Sequence, residues 1–385
     1  MEQNHSLPRI LVFIDWYLPG YKAGGPVRSM VNMIDHLSGS FDFDVVTRNT
    51  EYMETTPYPS VQSDQWNMLA PNVRVWYASS NKEGLGQWRQ LMREGHYHLI
   101  YINGIYSPKY SILPLLAAKL ERQTNIVVAP RGMLAESAIG VKRGKKTVFL
   151  KLAKMAGLFR NIAFHATNDN EANQTRQHLN ANATIHIAAN LPKKQDLNIQ
   201  LTAKETGKLY LVSLARIAPE KNTLYAIQCM ENITDKQIVL KLYGQIYDEP
   251  YWEQCLELIA RLPKNITVSH CGTVHPDEVG KTIAANHALL LPSRGENFGH
   301  VILESLMAGR PVIISDQTPW RNLETKMAGF DLPLQEMEAF TQTIKNLADM
   351  DQESINRWCH GAAQVAREFV EDKVLLERYE EMLGG

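Results

Sequence analysis

Short β-branched, apolar runs alternate with amphipathic stretches along most of the chain. Residues 10–14 read ILVFI, and Val27, Met30, Val31 and Ile34 then recur at helical spacing. Residues 42–47 (DFDVVT), 73–78 (VRVWYA), 98–103 (HLIYIN), 125–130 (NIVVAP) and 162–167 (IAFHAT) are predicted as further strands. Strands that alternate with helices give a parallel sheet covered on both faces, because each return to a parallel neighbour needs a crossover. Residues 191–207, LPKKQDLNIQLTAKETG, are polar and without a period, which suits an interdomain linker. The alternation then restarts with strands at 208–216, 237–244, 265–272, 287–293 and 310–315, and from about 336 to 383 the pattern is helical and charged. The expected fold is α/β, with one doubly wound domain over 1–191 and a second over 208–370. Two such domains facing one another place a ligand cleft between the carboxyl ends of their strands.

Composition narrows the function more than the fold. A chain of 385 residues is too long for one ordinary core and suits two domains of moderate size. A formal net charge of -1 gives no global basic field for nucleic acid. Cys229, Cys255, Cys271 and Cys359 are far apart in sequence, which speaks against a disulfide scaffold or a zinc site. The opening MEQNHSLPRI lacks the basic start and apolar core of a signal peptide, and no run approaches the roughly 20 apolar residues of a spanning helix. The expectation is a cytoplasmic protein.

Three loops after strands carry residues suited to an anionic sugar ligand. In DWYLPGYKAGGPVRS (15–29), Gly24 and Gly25 permit close backbone approach and Pro26 suits the first turn of a helix. The same residues fit a plain strand–helix turn. In LARIAPEKN (214–222), Arg216 offers a planar fork and Lys221 a point charge, a pair suited to a diphosphate. Solvated surface cations are the alternative. In RGENFGHVILESLMAGRPVIIS (294–315), a helix is expected from Phe298 or Gly299 to Met307, ended by Gly309. Its N-terminus carries partial positive charge for a diphosphate. Glu296 stands in the loop before it. Glu304, eight residues on, lies among Ile302, Leu303, Leu306 and Met307, where a carboxylate needs a partner. It can accept hydrogen bonds from vicinal hydroxyls such as those of a ribose.

Together these motifs resemble the retaining glycosyltransferases of family four, which have the GT-B fold of two Rossmann-like domains. That family's EGFGxxxxE is matched by GENFGHVILES, its R-x4-K pair by Arg216 and Lys221, and its N-terminal GG loop by Gly24 and Gly25. Pro292 before the two glutamates and Gly309-Arg310-Pro311-Val312 after them also match, so the resemblance runs from residue 9 to about 370. LPGYKAGGPVRS and PRGMLAESA are similar to members that build bacterial surface polysaccharides. The resemblance implies an acceptor-side first domain, a donor-side second domain and a C-terminal helix, 371–385, returning to the first. It implies that Arg216 and Lys221 hold the donor diphosphate, that Glu296 contacts the transferred sugar and that Glu304 contacts the ribose. Asn297, Phe298, Gly299 and His300 would line the diphosphate and sugar, and the loop from Cys271 to Val274 would lie near the base. Members commonly carry P-H-G where this chain has Pro130-Arg131-Gly132. Arg131 can supply positive charge near the leaving phosphate but cannot act as a base, and His165 is a further candidate helper.

The implied reaction moves a sugar from a nucleotide-diphosphate sugar to a hydroxyl of a glycan or lipid-linked acceptor, with its anomeric configuration kept. No DxD-type acidic pair stands at a strand end, so no metal and no other cofactor are expected. A sugar-nucleotide epimerase and a non-catalytic two-lobed sugar-binding protein are the rival readings. Residues 142–160 hold seven basic residues (Lys142, Arg143, Lys145, Lys146, Lys151, Lys154 and Arg160) and no acidic one. Val148, Leu152, Met155 and Phe159 form one apolar stripe there. Either the stripe packs on the first sheet and the lysines are solvated, or the basic face also docks on an anionic membrane.

Overall fold

The structure is a computed structural model that describes residues 7–135, 143–195, 197 and 199–384, with the backbone alone at Arg143 and Lys145. The chain divides into two compact units, Met1–Lys194 with Asp372–Gly385, and Gln195–Glu371.

The first unit is built on an eight-stranded sheet in the order β3-β4-β2-β1-β5-β6-β7-β8. Its strands are β1 (Arg9–Phe13), β2 (Asp42–Arg48), β3 (Trp66–Ala70), β4 (Val73–Ala78), β5 (Leu99–Asn103), β6 (Ile126–Ala129), β7 (Ala163–Ala166) and β8 (Thr184–Ile187). All neighbours pair in parallel except β3, which runs antiparallel to β4. Helices α1 (Gly25–Leu37), α2 (Leu85–Gly95), α3 (Leu113–Leu120), α4 (Arg143–Met155) and α5 (Asp169–His178) follow strands as crossovers. Strand β5 is buried from end to end, and β1 from Ile10 onward, because both faces of a parallel sheet are covered. Trp88 of α2 is fully buried against Phe13 of β1 and Tyr110. Burying a large apolar side chain in this way contributes about 1.5–3 kcal/mol.

The second unit has a six-stranded sheet, wholly parallel, in the order β11-β10-β9-β12-β13-β14. Its strands are β9 (Lys208–Leu214), β10 (Gln237–Tyr243), β11 (Ile266–His270), β12 (Ala288–Leu291), β13 (Val312–Ser315) and β14 (Gly329–Leu332). Helices α6 (Thr223–Gln228), α7 (Glu249–Ile259), α8 (Val279–Ala284), α9 (His300–Met307), α10 (Met337–Asp349) and α11 (Gln352–Val370) surround it. The last helix, α12 (Lys373–Gly384), belongs to the first unit, where its Tyr379 ring meets His165 of β7.

Three strands, β3, β8 and β14, are absent from the pattern read above. β3 (WNMLA) is an exposed edge with no alternating apolar face, and β8 and β14 are four-residue strands at the far edges. A second difference concerns the apolar stripe of the basic segment. Helix α4 turns Leu150 and Ala153 into the core, whereas Val148, Leu152 and Met155 face outward and only Phe159, beyond the helix, is buried. The reading in which the stripe packs on the sheet is therefore corrected. Lys142 and the side chains of Arg143 and Lys145 lie outside the described residues.

Candidate active site

The carboxyl ends of β11, β10, β9, β12 and β13 lie side by side in the second unit, and backbone bonds join their loops into one rim. Gly244 N–H donates to the Gly272 carbonyl (2.8 Å), Ile217 N–H to Gln245 (2.9 Å), Arg294 N–H to Glu220 (2.9 Å) and Glu296 N–H to Gln317 (3.0 Å). Open parallel sheets bind ligands at this edge. Gly244 is needed at it: with φ of 148°, a Cβ there would stand 1.9 Å from the Ala215 carbonyl oxygen, next to Arg216.

This rim gathers most of the residues singled out from sequence. Arg216 follows β9, pairs with Glu220 at 3.2 Å and lies over the Tyr247 ring with its guanidinium carbon 4.9 Å from the centroid. A 3-10 turn, Pro219–Lys221, ends at Asn222 in left-handed conformation. The turn brings Lys221 across to the loop before α9, where its ammonium meets the Glu296 carboxylate at 2.6 Å, both side chains largely shielded from solvent. Thus two residues 75 apart in sequence form one ion pair. Gly299, at φ 78°, caps α9, which begins at His300. Such a helix start turns backbone N–H groups outward and favours an anion. Phe298 is buried between His300, Trp320 and Phe369, and its carbonyl accepts from Trp320 Nε1 at 2.7 Å. The β13 loop therefore holds the loop before α9 at Glu296 N–H, through Gln317, and at Phe298 O, through Trp320. Asn297 and Glu304 are half-buried, and Glu304 sits on the first two turns of α9. Val274 lies in the loop whose Gly272 meets Gly244, so it joins the same rim.

Gly24, Gly25 and Arg131 belong to the first unit. Gly24 caps α1 at φ 76°, and Gly25 is the first residue of that helix. The loop before them is pinned by the buried Glu51, whose Oε2 accepts the Tyr21 N–H at 2.9 Å. Arg131, at φ 55°, is tied inward: Nε donates to Asn103 Oδ1 (2.8 Å), NH1 to Asn190 Oδ1 (2.6 Å) and NH2 to the Tyr101 hydroxyl (2.8 Å). That hydroxyl donates in turn to His165 Nδ1 (2.6 Å), and His165 Nε2–H donates to the Ala188 carbonyl (2.8 Å). Burial, with Arg131 nearby, pushes the His165 pKa down to about 3. His165 is thus a neutral, fully bonded core residue, and the expectation that it helps at a site is corrected. Gln317, Trp320, Tyr247 and Glu51 were not singled out from sequence. Each acts on a loop remote in the chain, and no local pattern marks it.

Residues 194–363 match the family of glycosyl transferases, group 1. Over 121 residues the chain is 28% identical to the sulfoquinovosyl transferase SQD2 of Arabidopsis thaliana. That alignment takes in 31% of this chain and spans 22% of the length of the relative. HepE of Anabaena, solved in complex with UDP and glucose, superimposes with a TM-score of 0.70 at 16% identity over 98% of this chain and 99% of that one. Sucrose-phosphate synthase of Thermosynechococcus elongatus gives 0.71 at 14% identity over 98% of each. The fold is GT-B. Its second unit is the one that carries the family match and the rim described above.

Proposed function

We propose that the protein transfers a sugar from a nucleotide-diphosphate sugar to a hydroxyl of a glycan or lipid-linked acceptor, keeping the anomeric configuration, in bacterial polysaccharide biosynthesis. The observation that carries this reading is the Lys221–Glu296 ion pair beside Arg216 and the start of α9, on a segment that matches glycosyl transferases. Reaction breaks the bond between the anomeric carbon and the diphosphate oxygen, and negative charge grows on the diphosphate. Arg216, Lys221 and the α9 N-terminus stabilise that charge where it develops. Glu296 faces the sugar, which gains positive charge. The new bond forms from the acceptor oxygen on the same face, and the acceptor proton goes to the leaving phosphate. Glu304 takes the ribose hydroxyls, and Asn297, Phe298, Gly299, His300 and Val274 line the donor. The setting is cytoplasmic, with peripheral contact to an anionic membrane.

Relatives in fold were solved with UDP and with UDP-glucose, so UDP-sugars head the donor screen. Labelled UDP-glucose, incubated with and without a glycan acceptor and followed by NMR, tests the reading. Acceptor-dependent transfer with an unchanged anomeric signal supports it. A new epimeric sugar nucleotide, or binding without turnover, sinks it.

No metal enters this scheme, since side chains and a helix start supply the positive charge. Turnover is expected to persist in a strong chelator. Complete loss that manganese restores would refute metal independence.

Arg216→Ala and Lys221→Ala are expected to weaken nucleoside-diphosphate binding by about tenfold or more each, the worth of one charge-assisted hydrogen bond. Tyr247→Leu should lower it less, through loss of the cation–π support of Arg216, while Tyr247→Phe should leave it intact. Calorimetry with UDP reads all four variants, and unchanged affinity in both alanine variants removes the diphosphate assignment.

A further inference from the structure

We propose that Trp320 is a positioning residue: its indole N–H fixes the peptide between Phe298 and Gly299 so that the Gly299 N–H faces the donor diphosphate. The inference rests on the donor site proposed for this rim. Trp320 Nε1 donates to the Phe298 carbonyl at 2.7 Å, and both residues are buried. The indole is itself held. Its ring lies 5.8 Å from that of Phe298 and 5.3 Å from that of Phe369 of α11, centroid to centroid, and Phe298 and Phe369 are 5.7 Å apart. The Trp320 backbone N–H donates to Thr318 Oγ1 at 3.2 Å. Three rings in mutual contact leave the indole little freedom to turn its N–H elsewhere.

Peptide geometry carries that constraint to the site. A peptide is planar, and in its trans form the carbonyl and the following N–H point in opposite directions. The peptide between Phe298 and Gly299 is trans. Its oxygen is drawn into the ring cluster, so its N–H, on Gly299, points away from the cluster. Gly299 is buried, and its N–H meets no acceptor among the described residues. Buried backbone donors are as a rule paired. This one stands at the start of α9, where partial positive charge favours an anion. A phosphate oxygen there completes both groups of one peptide, the carbonyl on Trp320 and the N–H on the ligand. The tie from Glu296 N–H to the Gln317 carbonyl holds the other end of the loop and does not orient this peptide. Without the indole N–H, the Phe298 carbonyl would be a buried acceptor lacking a donor, and the peptide would turn to find one.

The test compares a nucleoside diphosphate with its bare nucleoside, which lacks the group that Gly299 N–H would meet. UDP, GDP, ADP and dTDP are titrated into the full chain, and the tightest binder is carried forward. Trp320→Phe keeps an aromatic ring and removes only the indole N–H. It is expected to weaken the diphosphate by about tenfold, the worth of one charge-assisted hydrogen bond, and to leave the nucleoside unchanged. Phe369→Leu loosens the ring cluster but keeps the N–H, so it should cost much less. Thermal melts show that both variants are folded. The parent supplies a second readout. In the 15N-labelled chain the Gly299 amide proton should move downfield with the diphosphate and not with the nucleoside. A Trp320→Phe variant that binds the diphosphate like the parent, or that loses diphosphate and nucleoside in equal proportion, would overturn the inference. An equal loss in Phe369→Leu would do the same, as would a Gly299 amide indifferent to the diphosphate. A parent that binds none of the four diphosphates would instead bring down the donor site itself, and this inference with it.

Discussion

Glu296→Gln is expected to lower turnover at saturating donor by roughly 10- to 100-fold, the rate equivalent of losing a charge-assisted interaction worth about 1.5–3 kcal/mol. The carboxylate is assigned to the sugar that becomes positive, so its contribution is largest in the transition state. The ion pair adds a second, opposite effect. In the parent, Glu296 neutralises Lys221 at 2.6 Å. The glutamine leaves that ammonium available to phosphate, so UDP should bind as tightly as before or a few-fold more tightly. Slower turnover with undiminished UDP affinity separates this role from general damage to the site. Glu304→Gln should show the converse, weaker donor binding with a smaller change in turnover, because a ribose changes little during reaction. Steady-state kinetics beside calorimetry checks both, and near-parent turnover in Glu296→Gln would remove Glu296 from the sugar.

Much of the fold was legible in the sequence because buried parallel strands are written as dense apolar runs. The cores of β1, β5 and β12 are such runs, and each is buried on both faces. Edge strands obey a weaker rule. β3 exposes Met68 and Leu69, so nothing in its pattern distinguishes it from a loop. Helix α4 shows a different failure. Its sequence has two apolar arcs, Leu150 with Ala153 and Val148 with Leu152 and Met155, and periodicity does not say which one meets the sheet. At the rim, Arg216, Lys221, Glu296 and Gly299 were legible through spacing and residue type. The ion pair between Lys221 and Glu296 was not, since it depends on how the β9 and β12 loops meet. Trp320 and Gln317 escaped for the same reason: their hydrogen bonds reach back about 20 residues across the sheet edge to a partner's backbone, which carries no sequence signal.

Arg310→Met is expected to destabilise the second unit by about 3 kcal/mol, and Arg310→Lys by less. The residue reads in sequence as part of a G-R-P-V match, yet its side chain is wholly buried. Its NH2 group donates to Ala284 O (2.7 Å), Thr202 Oγ1 (2.8 Å) and the Gln200 carbonyl, and NH1 donates to Gly309 O (3.1 Å). One guanidinium thus ties the segment before β9 to the end of α8 and to the turn that closes α9. Burial draws its pKa below the ordinary guanidinium value, which is the sign of a costly buried charge. Methionine removes that cost but strands the Gln200 and Gly309 carbonyls in a dry site, at about 1–3 kcal/mol for each group left without a donor, while the Thr202 hydroxyl and the Ala284 carbonyl keep each other at 2.6 Å. The loss of partners therefore outweighs the relief. Lysine keeps a charge and three donors without the planar fork, so it restores only part of the network. Denaturant unfolding followed by a probe in the second unit measures the effect. A methionine variant as stable as the parent would mean that these carbonyls reach water or other donors once the guanidinium is gone.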